Sequence, residues 1–373
     1  MINKKYNVTA KVLTPLSIGQ GAEKDWVYGI DYLTKEDEYG NLWLYHLDLS
    51  KMVAAGVDIN RLTSLFVQGK PQDIKNLIGP KLEKVSDRKM RLPVSSEDAL
   101  SNPIKTFLRN QLTDRPVLAG SSLKGALRSI LFTYLRGHNE RDNKAVFGDM
   151  NAGTDFMRFI RVGDFEFERT CLVNTKIFNL HLEGTNKWVG GWKRSNVETT
   201  NKFDSDKFNT IYECLIPDTE TEGSIMLATQ LFDGIIEQPY CEKKSQLMKG
   251  DKSIYNLCAL INKHTLDYIN REFAFFEKYT VEEGTDDIYN ALADLEDECT
   301  RIREEEPNSC VLKMSAGSGF HSITGDWQYN DYTDTGVYES GKNAGKKKYK
   351  SRKIVVSGSK TFALMGFVKL TFN

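Results

Sequence analysis

The chain has 373 residues, 40% of them hydrophobic, and its 50 Lys and Arg residues nearly balance its 51 Asp and Glu residues. This composition is typical of a folded globular protein. It excludes a disordered chain, and it excludes a polycation that coats nucleic acid over its whole surface. Any nucleic-acid surface must therefore be local. The length predicts two or three domains.

The sequence also limits the cellular environment in which the protein is expected. No run approaches the roughly 18 apolar residues of a spanning helix, and the chain opens on a strand-like alternation, so we expect neither a membrane span nor a signal peptide. The six cysteines form no C-x-x-C pair and the five histidines are scattered. This pattern argues against a structural zinc site and favours reduced thiols. We expect a cytoplasmic protein without a metal or a cofactor.

The first half of the chain alternates strands, turns and helices. Residues 6–14 have a period of two and predict a strand, which ends at Pro15 and enters a flexible turn containing Gly19 and Gly21. A hairpin is expected next, and a helix begins near residue 120 with Ser121 or Ser122 as its N-cap. Residues 26–33 and 42–47 form the expected hairpin, and residues 48–113 predict mixed helix and loop. Strands are predicted at 156–162, 171–181, 210–216 and 223–232.

The second half adds two long helices and a basic segment. Helical periodicity covers residues 253–279 and 288–302, and the stretch from Glu282 to Glu306 carries eleven acidic residues and two arginines. A strand at 310–314 leads into a glycine-rich loop at 315–322. Residues 328–353 are polar and basic and predict a mobile loop, before a closing strand over 362–372. The fold class is therefore α+β.

The start of the predicted helix is the first candidate binding site. A glycine turn at Gly120 lets backbone N–H groups converge at a helix N-terminus, where Lys124 and Arg128 add positive charge. Phosphate suits such a site. The segment is not a Walker A loop, because Gly125 is followed by alanine instead of lysine. The alternative is a capped amphipathic helix with two solvated cations.

Two later segments are also candidates for binding. Gly317 and Gly319 predict a loop that approaches a backbone closely, with Phe320 and His321 as stacking groups. An ordinary hairpin turn is the alternative. The basic tract that includes Lys346, Lys347 and Lys348 can neutralise several phosphates and would make binding sensitive to salt. A solvated loop is the alternative there.

No set of residues has the spacing that catalysis requires. We find no paired carboxylates, no Ser/His/Asp set and no acid–base couple of histidines. His321 is the one histidine worth testing as a general base. Asp25 and Asp31 follow the Gly19 turn and are candidates for contact with an RNA 2′-OH or a metal, although a turn aspartate is the simpler interpretation. His46 and His181 are expected to be core or sheet residues.

Three separated motifs resemble the RAMP proteins of CRISPR effector complexes. T-P-L-S-I-G at residues 14–19 resembles the exit of the family's first strand, and A-G-S-S-L-K-G-A-L-R at 119–128 resembles its P-G-S-S-L-K-G helix start. Y-E-C-L-I-P at 212–217, followed by G-S-I at 223–225, resembles its later strand pair. At the C-terminal end, S-A-G-S-G-F-H-S-I-T at 315–324 and M-G-F-V-K-L at 365–370 are similar to the subunit of type III-A (Csm) complexes that caps the 3′ side of the guide RNA.

The resemblance implies a fold and a function. It implies two ferredoxin-like, RRM-like domains: residues 1–217, with a helical insertion at about 48–113, and residues 218–373, with a helical segment at about 253–303, the glycine-rich loop and the basic loop. It implies a non-catalytic subunit that binds CRISPR RNA (crRNA). The RNA-binding residues expected from the two lines of argument are Gly19, Gly21, Gly120, Ser121, Ser122, Lys124, Gly125, Arg128, Gly317, Gly319, Phe320, His321, Lys346, Lys347 and Lys348.

The same resemblance implies partners. Besides crRNA, these are the repeated backbone RAMP subunit and the small helical subunit of the Csm complex, and recruitment of host nucleases that trim crRNA is left open. No membrane partner is expected. The alternative function is a RAMP endoribonuclease that processes precursor crRNA with His321 as general base, or that cleaves target RNA through Asp25 or Asp31.

Overall fold

A computed structural model gives the fold of the chain. It describes residues 3–137, 140, 142–184, 187–233, 241–250, 252–316, 341, 345, 349–357 and 361–373. The strands are β1 (Lys4–Val12), β2 (Tyr32–Glu36), β3 (Leu42–Leu47), β4 (Ser86–Arg91), β5 (Val117–Leu118), β6 (Ile160–Val162), β7 (Phe165–Glu166), β8 (Thr170–Asn179), β9 (His181–Glu183), β10 (Lys187–Val189), β11 (Trp192–Lys193), β12 (Thr199–Thr200), β13 (Thr210–Leu215), β14 (Glu220–Leu227), β15 (Ser309–Lys313), β16 (Ser351–Ser357), β17 (Thr361–Ala363) and β18 (Phe367–Phe372).

Helices alternate with these strands along the chain. They are α1 (Leu49–Ala54), α2 (Ile59–Gln68), α3 (Pro71–Ile78), α4 (Leu82–Val85), α5 (Gly120–Leu135), α6 (Asn143–Phe147), α7 (Thr229–Asp233), α8 (Cys241–Met248), α9 (Ser253–Lys278) and α10 (Thr285–Glu305). Short 3-10 turns lie at Ala22–Lys24, Gly79–Lys81, Glu97–Leu100 and Phe156–Phe159. The predicted α+β class is confirmed.

The first sheet contains ferredoxin-like elements. Its strands pair antiparallel in the order β15–β18–β1–β14–β6. Without the edge strand β15, the antiparallel order β18–β1–β14–β6 is that of a ferredoxin-like unit, in which α5 connects β1 to β6 and α9 lies between β14 and β18 in the chain. The sheet takes strands from both sides of residue 217, so the two sequential domains proposed above stay a prediction.

One face of this sheet and the apolar faces of two helices form the largest core. The period of two along β1 buries Val8, Ala10 and Val12 on one side, as the sequence predicts. Against them pack leucines and isoleucines of α5 and α9, including Leu127 and Ile261. Each such side chain contributes about 1.5–3 kcal/mol when it is fully buried. This core fixes the position of α5 relative to the exit of β1.

The second sheet is built around β8. It runs β12–β11–β8–β16–β17, and β13 pairs with the first half of β8 on the edge opposite β16. One of its faces packs on α9 and α10 through a cluster of rings in which Phe178 lies edge-on to Trp192 and Trp192 stacks on Phe362 at 5.0 Å. The two predicted long helices thus cover one face of the second sheet.

A smaller sheet lies in the predicted insertion. β2 and β3 form the predicted hairpin, and β4 pairs with β3, so the expectation of only helix and loop over residues 48–113 was wrong at β4. Helices α1 to α4 cover one face of this sheet and enclose a separate core around Tyr45, Leu62 and Ile78. The other face packs toward Leu172 and Ile211 of the second sheet.

Three other predictions need correction. The strands on either side of the turn at 217–222 do not pair with each other, because β13 joins the second sheet and β14 the first. The closing strand is interrupted at Gly366, whose φ of +90° and contact with the Met314 carbonyl leave no room for a Cβ atom. The end of the predicted basic loop forms β16.

Candidate nucleic-acid interface

Backbone pairing joins two of the predicted loops at the exit of β1. The N–H of Ala316 donates to the Ser17 carbonyl at 2.8 Å, and the Ser17 N–H donates to the Ser315 hydroxyl at 3.0 Å. Ala316 is the last described residue before Gly317. The start of the glycine-rich loop therefore lies directly beside the Ile18–Gly19 turn.

The same turn is tied to the segment that leads to α5. Gly19 forms an antiparallel bridge with Phe107, and the Leu108 N–H donates to the Ile18 carbonyl at 2.7 Å. Leu108 in turn accepts from the Val117 N–H at 2.8 Å. Gly21 has a φ of +111° and precedes the turn at Ala22–Lys24, a conformation that favours glycine. The first turn, the start of the glycine-rich loop and the segment that leads to α5 therefore lie next to one another.

The helix at Gly120 starts differently from the prediction. Its N-cap is Ala119, so the predicted caps Ser121 and Ser122 lie inside the first turn. The Gly120 N–H donates to the Asp164 carboxylate at 2.7 Å. A Cβ atom at Gly120 would meet the carbonyls of Val162 and Gly163 at 2.4 and 2.6 Å, which explains the glycine. One of the N–H groups predicted for phosphate is therefore already bound to a carboxylate of the protein.

The side chains of α5 form a cationic cluster with β6. We use the name α5 cluster for Lys124, Arg128 and Arg161. The Arg128 guanidinium lies 4.5 Å from the Phe147 ring centroid and 3.4 Å from the Asp155 carboxylate, and Arg161 is exposed on β6. Burial lowers the pKa of Lys124, Asp155 opposes this, and Arg128 and Arg161 lower it further. Among the described residues, Asp155 is the carboxylate that pairs with Arg128 and acts on Lys124, so the three cations keep excess positive charge.

Both serines and the second glycine of the motif lie next to this cluster in sequence. Ser121 is exposed, Ser122 is half-buried, and Gly125 is a half-buried residue of the helix. The alternative interpretation, a capped helix with two solvated cations, does not describe Arg128, which packs on Phe147 and pairs with Asp155 while it stays partly exposed.

The structure brings together a second group of basic residues that the sequence did not reveal. We use the name Tyr212 cluster for Lys105, Tyr212 and Lys353 with the carboxylate of Asp25. The Lys353 ammonium donates to the Tyr212 hydroxyl at 2.5 Å, and the Lys105 ammonium lies 2.5 Å from Asp25. Burial lowers the pKa of Lys353 to about 8, and Lys105 adds to the effect; burial also raises the pKa of Tyr212 to about 12.

The second sheet places this cluster beside the loops. Lys105 forms a parallel bridge with Tyr212, so their side chains share one face of the sheet, and β16 contributes Lys353 from the other edge of β8. Ala316 packs against the apolar part of this face, which includes Val173 and Val355. The Tyr212 cluster therefore lies between the Asp25 turn and the start of the glycine-rich loop.

A buried ion pair on the opposite face fixes the strand that carries Tyr212. Glu213 is fully buried and pairs with Arg109, while it accepts from the Thr170 hydroxyl at 2.6 Å and from the Phe107 N–H at 2.8 Å. Such a network is stable only when each charge keeps its partners. It locks β13 to β8 and to the segment that pairs with Gly19.

The two aspartates that were candidates for catalysis, Asp25 and Asp31, have structural roles. Asp25 is almost fully buried and paired with Lys105, and the Asp31 carboxylate accepts from the Val27 N–H at 2.7 Å in a turn. His46 and His181 lie in strands, as predicted, with His46 bonded to Asp87 at 2.6 Å. Among the described residues, no group of three or more His, Cys, Asp or Glu side chains is placed to hold a metal ion.

The remaining predicted site residues lie outside the described residues. These are Gly317, Gly319, Phe320, His321, Lys346, Lys347 and Lys348. Over the ranges that the structure does describe, no helix is both long enough and apolar enough to cross a membrane.

Comparison with known proteins identifies the family. The sequence model of the RAMP superfamily matches residues 9–302. The chain therefore belongs to the RAMP superfamily, and the predicted family is confirmed. Comparison with curated proteins finds no match.

Two solved structures have a similar fold. The first is a chain in the cryo-EM structure of a Csm–crRNA–target RNA ternary complex of a type III-A CRISPR-Cas system, with a TM-score of 0.63, 16% identity, and coverage of 99% of this chain and 100% of that chain. The second is the crystal structure of Csm5 from T. onnurineus, with a TM-score of 0.50, 16% identity, and coverage of 82% and 89%. At this level of identity the likeness is one of fold.

Proposed function

We propose that this chain is a crRNA-binding subunit of a type III-A (Csm) effector complex and that it caps the 3′ side of the crRNA. The observation that carries the proposal is the end-to-end likeness of fold to a chain in a Csm–crRNA–target RNA complex, which covers 99% of this chain and 100% of that one. A RAMP protein of the same length and layout is expected to occupy an equivalent position in its own complex.

The geometry at the exit of β1 supports the RNA-binding part of the proposal. The Tyr212 cluster adjoins the segment around Phe107 through the bridge between Lys105 and Tyr212, and the α5 cluster lies on the helix that follows β5, which is bonded to Leu108. Both clusters hold cations next to an aromatic ring. Cations bind phosphates, whereas the rings of Phe147 and Tyr212 are buried and hold the cations in position. Since the net charge of the chain is −1, such contacts are restricted to local surfaces.

In this proposal, the predicted loops form the rest of the RNA-binding surface. Gly19 and Gly21 let the backbone of the first turn approach RNA closely, and Gly317, Gly319, Phe320 and His321 follow directly from Ala316. The tract with Lys346, Lys347 and Lys348 precedes β16, which carries Lys353. The proposed protein partners are the repeated backbone RAMP subunit and the small helical subunit, with host nucleases that trim crRNA as a further candidate partner.

We propose a binding role without catalysis. A cleaving aspartate needs to reach the RNA, whereas Asp25 is buried against Lys105 and Asp31 closes a turn. The endoribonuclease alternative then rests on His321. The variant His321→Ala is expected to leave crRNA processing unchanged, and loss of metal-independent cleavage in that variant would favour the enzyme.

The proposal is tested by purification of the tagged chain from its native host. We expect a ladder of crRNAs together with the other subunits of one effector complex, and crRNAs with altered 3′ ends in a strain that lacks the gene. Recovery of the folded chain without crRNA and without those subunits would contradict the proposal.

Two matched double variants distinguish loss of a local RNA contact from loss of total positive charge. Lys124→Gln with Arg128→Gln removes two cations of the α5 cluster, and Arg61→Gln with Lys84→Gln removes two exposed cations of the insertion. Only the first pair is expected to reduce the amount of copurified crRNA. Equal losses in both pairs would assign the effect to total charge instead of to the site.

A further inference from the structure

Lys313 is a buried lysine at the end of β15, outside both the α5 cluster and the Tyr212 cluster. The residue is 8% exposed. Its Nζ donates to the Met365 carbonyl and lies 5.3 Å from the ring centroid of Tyr268 and 5.0 Å from that of Phe367. Burial of an amine costs desolvation free energy that an aliphatic side chain of similar size would avoid. The presence of lysine at this position therefore needs an explanation other than packing.

The charged groups around Lys313 leave it without an ion pair in the described part of the chain. Glu272 of α9 acts on the lysine but bonds to Arg352 of β16 at 2.5 Å. Burial lowers the pKa of Lys313 to about 7, and Glu272 opposes this shift. A neutral amine still has N–H groups, so Lys313 can donate to the Met365 carbonyl in both protonation states. The hydrogen bond is therefore the constant feature of this side chain, and the charge is not.

The acceptor of this hydrogen bond lies where the chain crosses from the second sheet to the first. We use the name Gly366 junction for residues 365–367, which connect β17 to β18. The Gly366 N–H donates to the Pro15 carbonyl at 2.8 Å, and the Gly366 carbonyl accepts from the Met314 N–H at 2.7 Å. The Gly366 junction therefore binds the exit of β1 on one side and the end of β15 on the other.

The Gly366 junction contacts or adjoins three parts of the candidate interface. Pro15 leads into the Gly19 turn, and the chain continues from β15 to Ala316, which bonds to that turn. The Met365 side chain packs in the same apolar cluster as Tyr212 and Ala316. A displacement of this short segment would therefore move the Gly19 turn, the start of the glycine-rich loop and the Tyr212 cluster relative to one another.

The Met365 carbonyl depends on Lys313 for its hydrogen bond. Met365 is buried, and within the described ranges Lys313 is the group that donates to its carbonyl. A buried carbonyl that loses its donor carries the full cost of its desolvation, and the backbone gains by moving to another partner. The amine of Lys313 thus fixes the backbone of the Gly366 junction at its first residue.

We propose that Lys313 is a positioning residue of the crRNA interface, because its hydrogen bond to Met365 holds the Gly366 junction and thereby the three parts that adjoin it. The inference rests on the proposed function, which assigns RNA contact to those parts. Lys313 acts through the junction and is itself too buried to touch RNA.

The test changes the amine in the full chain. Lys313→Met keeps a long unbranched side chain and removes the donor, whereas Lys313→Gln keeps an N–H donor without the charge. Lys176→Met is the matched control, because Lys176 is also buried and donates to a backbone carbonyl, that of Lys193. It lies on the face of β8 opposite Val173, the residue that pairs with Tyr212.

The expected signature is a loss of binding without a loss of stability. We expect Lys313→Met to weaken crRNA affinity about tenfold and to speed hydrogen exchange of the Gly366 and Ala316 amides by a similar factor. The midpoint of chemical denaturation should stay the same or rise, because an apolar group replaces a buried amine. We expect Lys313→Gln to keep affinity and protection within about threefold of the wild-type values, and Lys176→Met to change neither.

The other outcomes overturn the inference. Wild-type affinity in Lys313→Met would do so, and so would a loss in Lys313→Gln as large as that in Lys313→Met. A fall in affinity that is matched by a lower denaturation midpoint would make Lys313 a structural residue. The same conclusion would follow if neither Lys313→Met nor Lys313→Leu folds. Faster exchange with unchanged affinity would exclude the Gly366 junction from the interface.

Failure of the proposed function would give a different result. A folded wild-type chain that does not bind crRNA would contradict the proposed function, and with it the RNA part of this inference. The exchange rates of the Gly366 and Ala316 amides would then decide alone whether Lys313 holds the junction.

Discussion

The α5 cluster and the Tyr212 cluster present the same chemistry but differ in how the chain assembles them. In the α5 cluster, Lys124 and Arg128 lie one helical turn apart, so a short stretch of sequence brings them together. In the Tyr212 cluster, Lys105, Tyr212 and Lys353 come from three distant segments that only the second sheet unites. The α5 cluster therefore takes two of its three cations from one helix and the third, Arg161, from β6, whereas the Tyr212 cluster depends on the integrity of a whole sheet.

The largest expected effect comes from removal of the buried carboxylate of Glu213, the residue after Tyr212, which tests whether the Tyr212 cluster depends on its sheet. Glu213→Ala removes the buried carboxylate of Arg109 and leaves the exposed Asp114 at 3.9 Å, and we expect a loss of about 3–5 kcal/mol in the free energy of unfolding. Chemical denaturation of the purified chain measures it. Removal of both partners in Glu213→Leu with Arg109→Met is expected to recover part of the loss, and a loss below about 1 kcal/mol in Glu213→Ala would mean that this network does not hold β13.

The α5 cluster is tested by binding instead of stability. In Lys124→Gln with Arg128→Gln, we expect affinity for crRNA to fall about tenfold or more and the salt dependence of binding to become shallower, because two phosphate contacts are lost. Titration at several salt concentrations measures both. An unchanged salt slope with normal folding would exclude these side chains from the phosphate contacts.

The two clusters should also respond differently to pH. Because burial lowers the pKa of Lys353 to about 8, from an ordinary value of 10.5, this cation is lost in the folded chain as the pH rises from 7 to 9. We expect crRNA affinity to fall about threefold over this range, and Lys353→Arg to abolish the fall, because a guanidinium stays protonated. A fall that persists in Lys353→Arg would assign the titration to another group.

The lowered pKa of Lys353 affects stability in the opposite direction: crRNA affinity falls as the pH rises, whereas the free energy of unfolding increases. Between about pH 8 and 10.5 the unfolded chain binds more protons at Lys353 than the folded chain does. The contribution of Lys353 to the free energy of unfolding therefore rises with pH across this window. Comparison of the wild-type chain with Lys353→Met at pH 8 and pH 10.5 isolates it, and an unchanged difference would contradict the lowered pKa.

The smallest expected effect concerns the start of α5. Asp164 accepts from the Gly120 N–H and places a negative charge at the helix N-terminus, so Asp164→Ala is expected to cost about 1 kcal/mol of unfolding free energy. Thermal unfolding measures this cost, with Asp164→Asn as the control that keeps an acceptor. A cost that Asp164→Asn matches in full would attribute the stabilisation to charge alone.

The sequence was sufficient for features that depend on nearby residues. Alternation placed β1, helical periodicity placed α5, α9 and α10, and the motif at 119–128 indicated the RAMP superfamily. For the strand and the helices the signal is a local pattern of apolar residues, which sets the buried face of a single element before any tertiary contact is known. For the family it is a contiguous motif.

The sequence was insufficient where distant segments decide the outcome. The N-cap of α5 was missed because Asp164, 44 residues further along the chain, supplies the acceptor for Gly120. β4 was missed because Met90 is the one apolar residue of Ser86–Arg91, too few to show a period, and the strand forms through pairing with β3. Lys353 was assigned to a loop because its tract is basic, whereas pairing with β8 extends it as β16.

The central claim is that both clusters contact the 3′ side of the crRNA, and crosslinking within the purified effector complex tests it most directly. After ultraviolet irradiation and digestion, nucleotide adducts are mapped on the peptides that contain Lys124 and Tyr212, and the crosslinked crRNA positions are sequenced. The account predicts adducts on both peptides at nucleotides near the 3′ end of the guide. Adducts confined to the 5′ portion, or absent from both peptides while crRNA is retained, would contradict it.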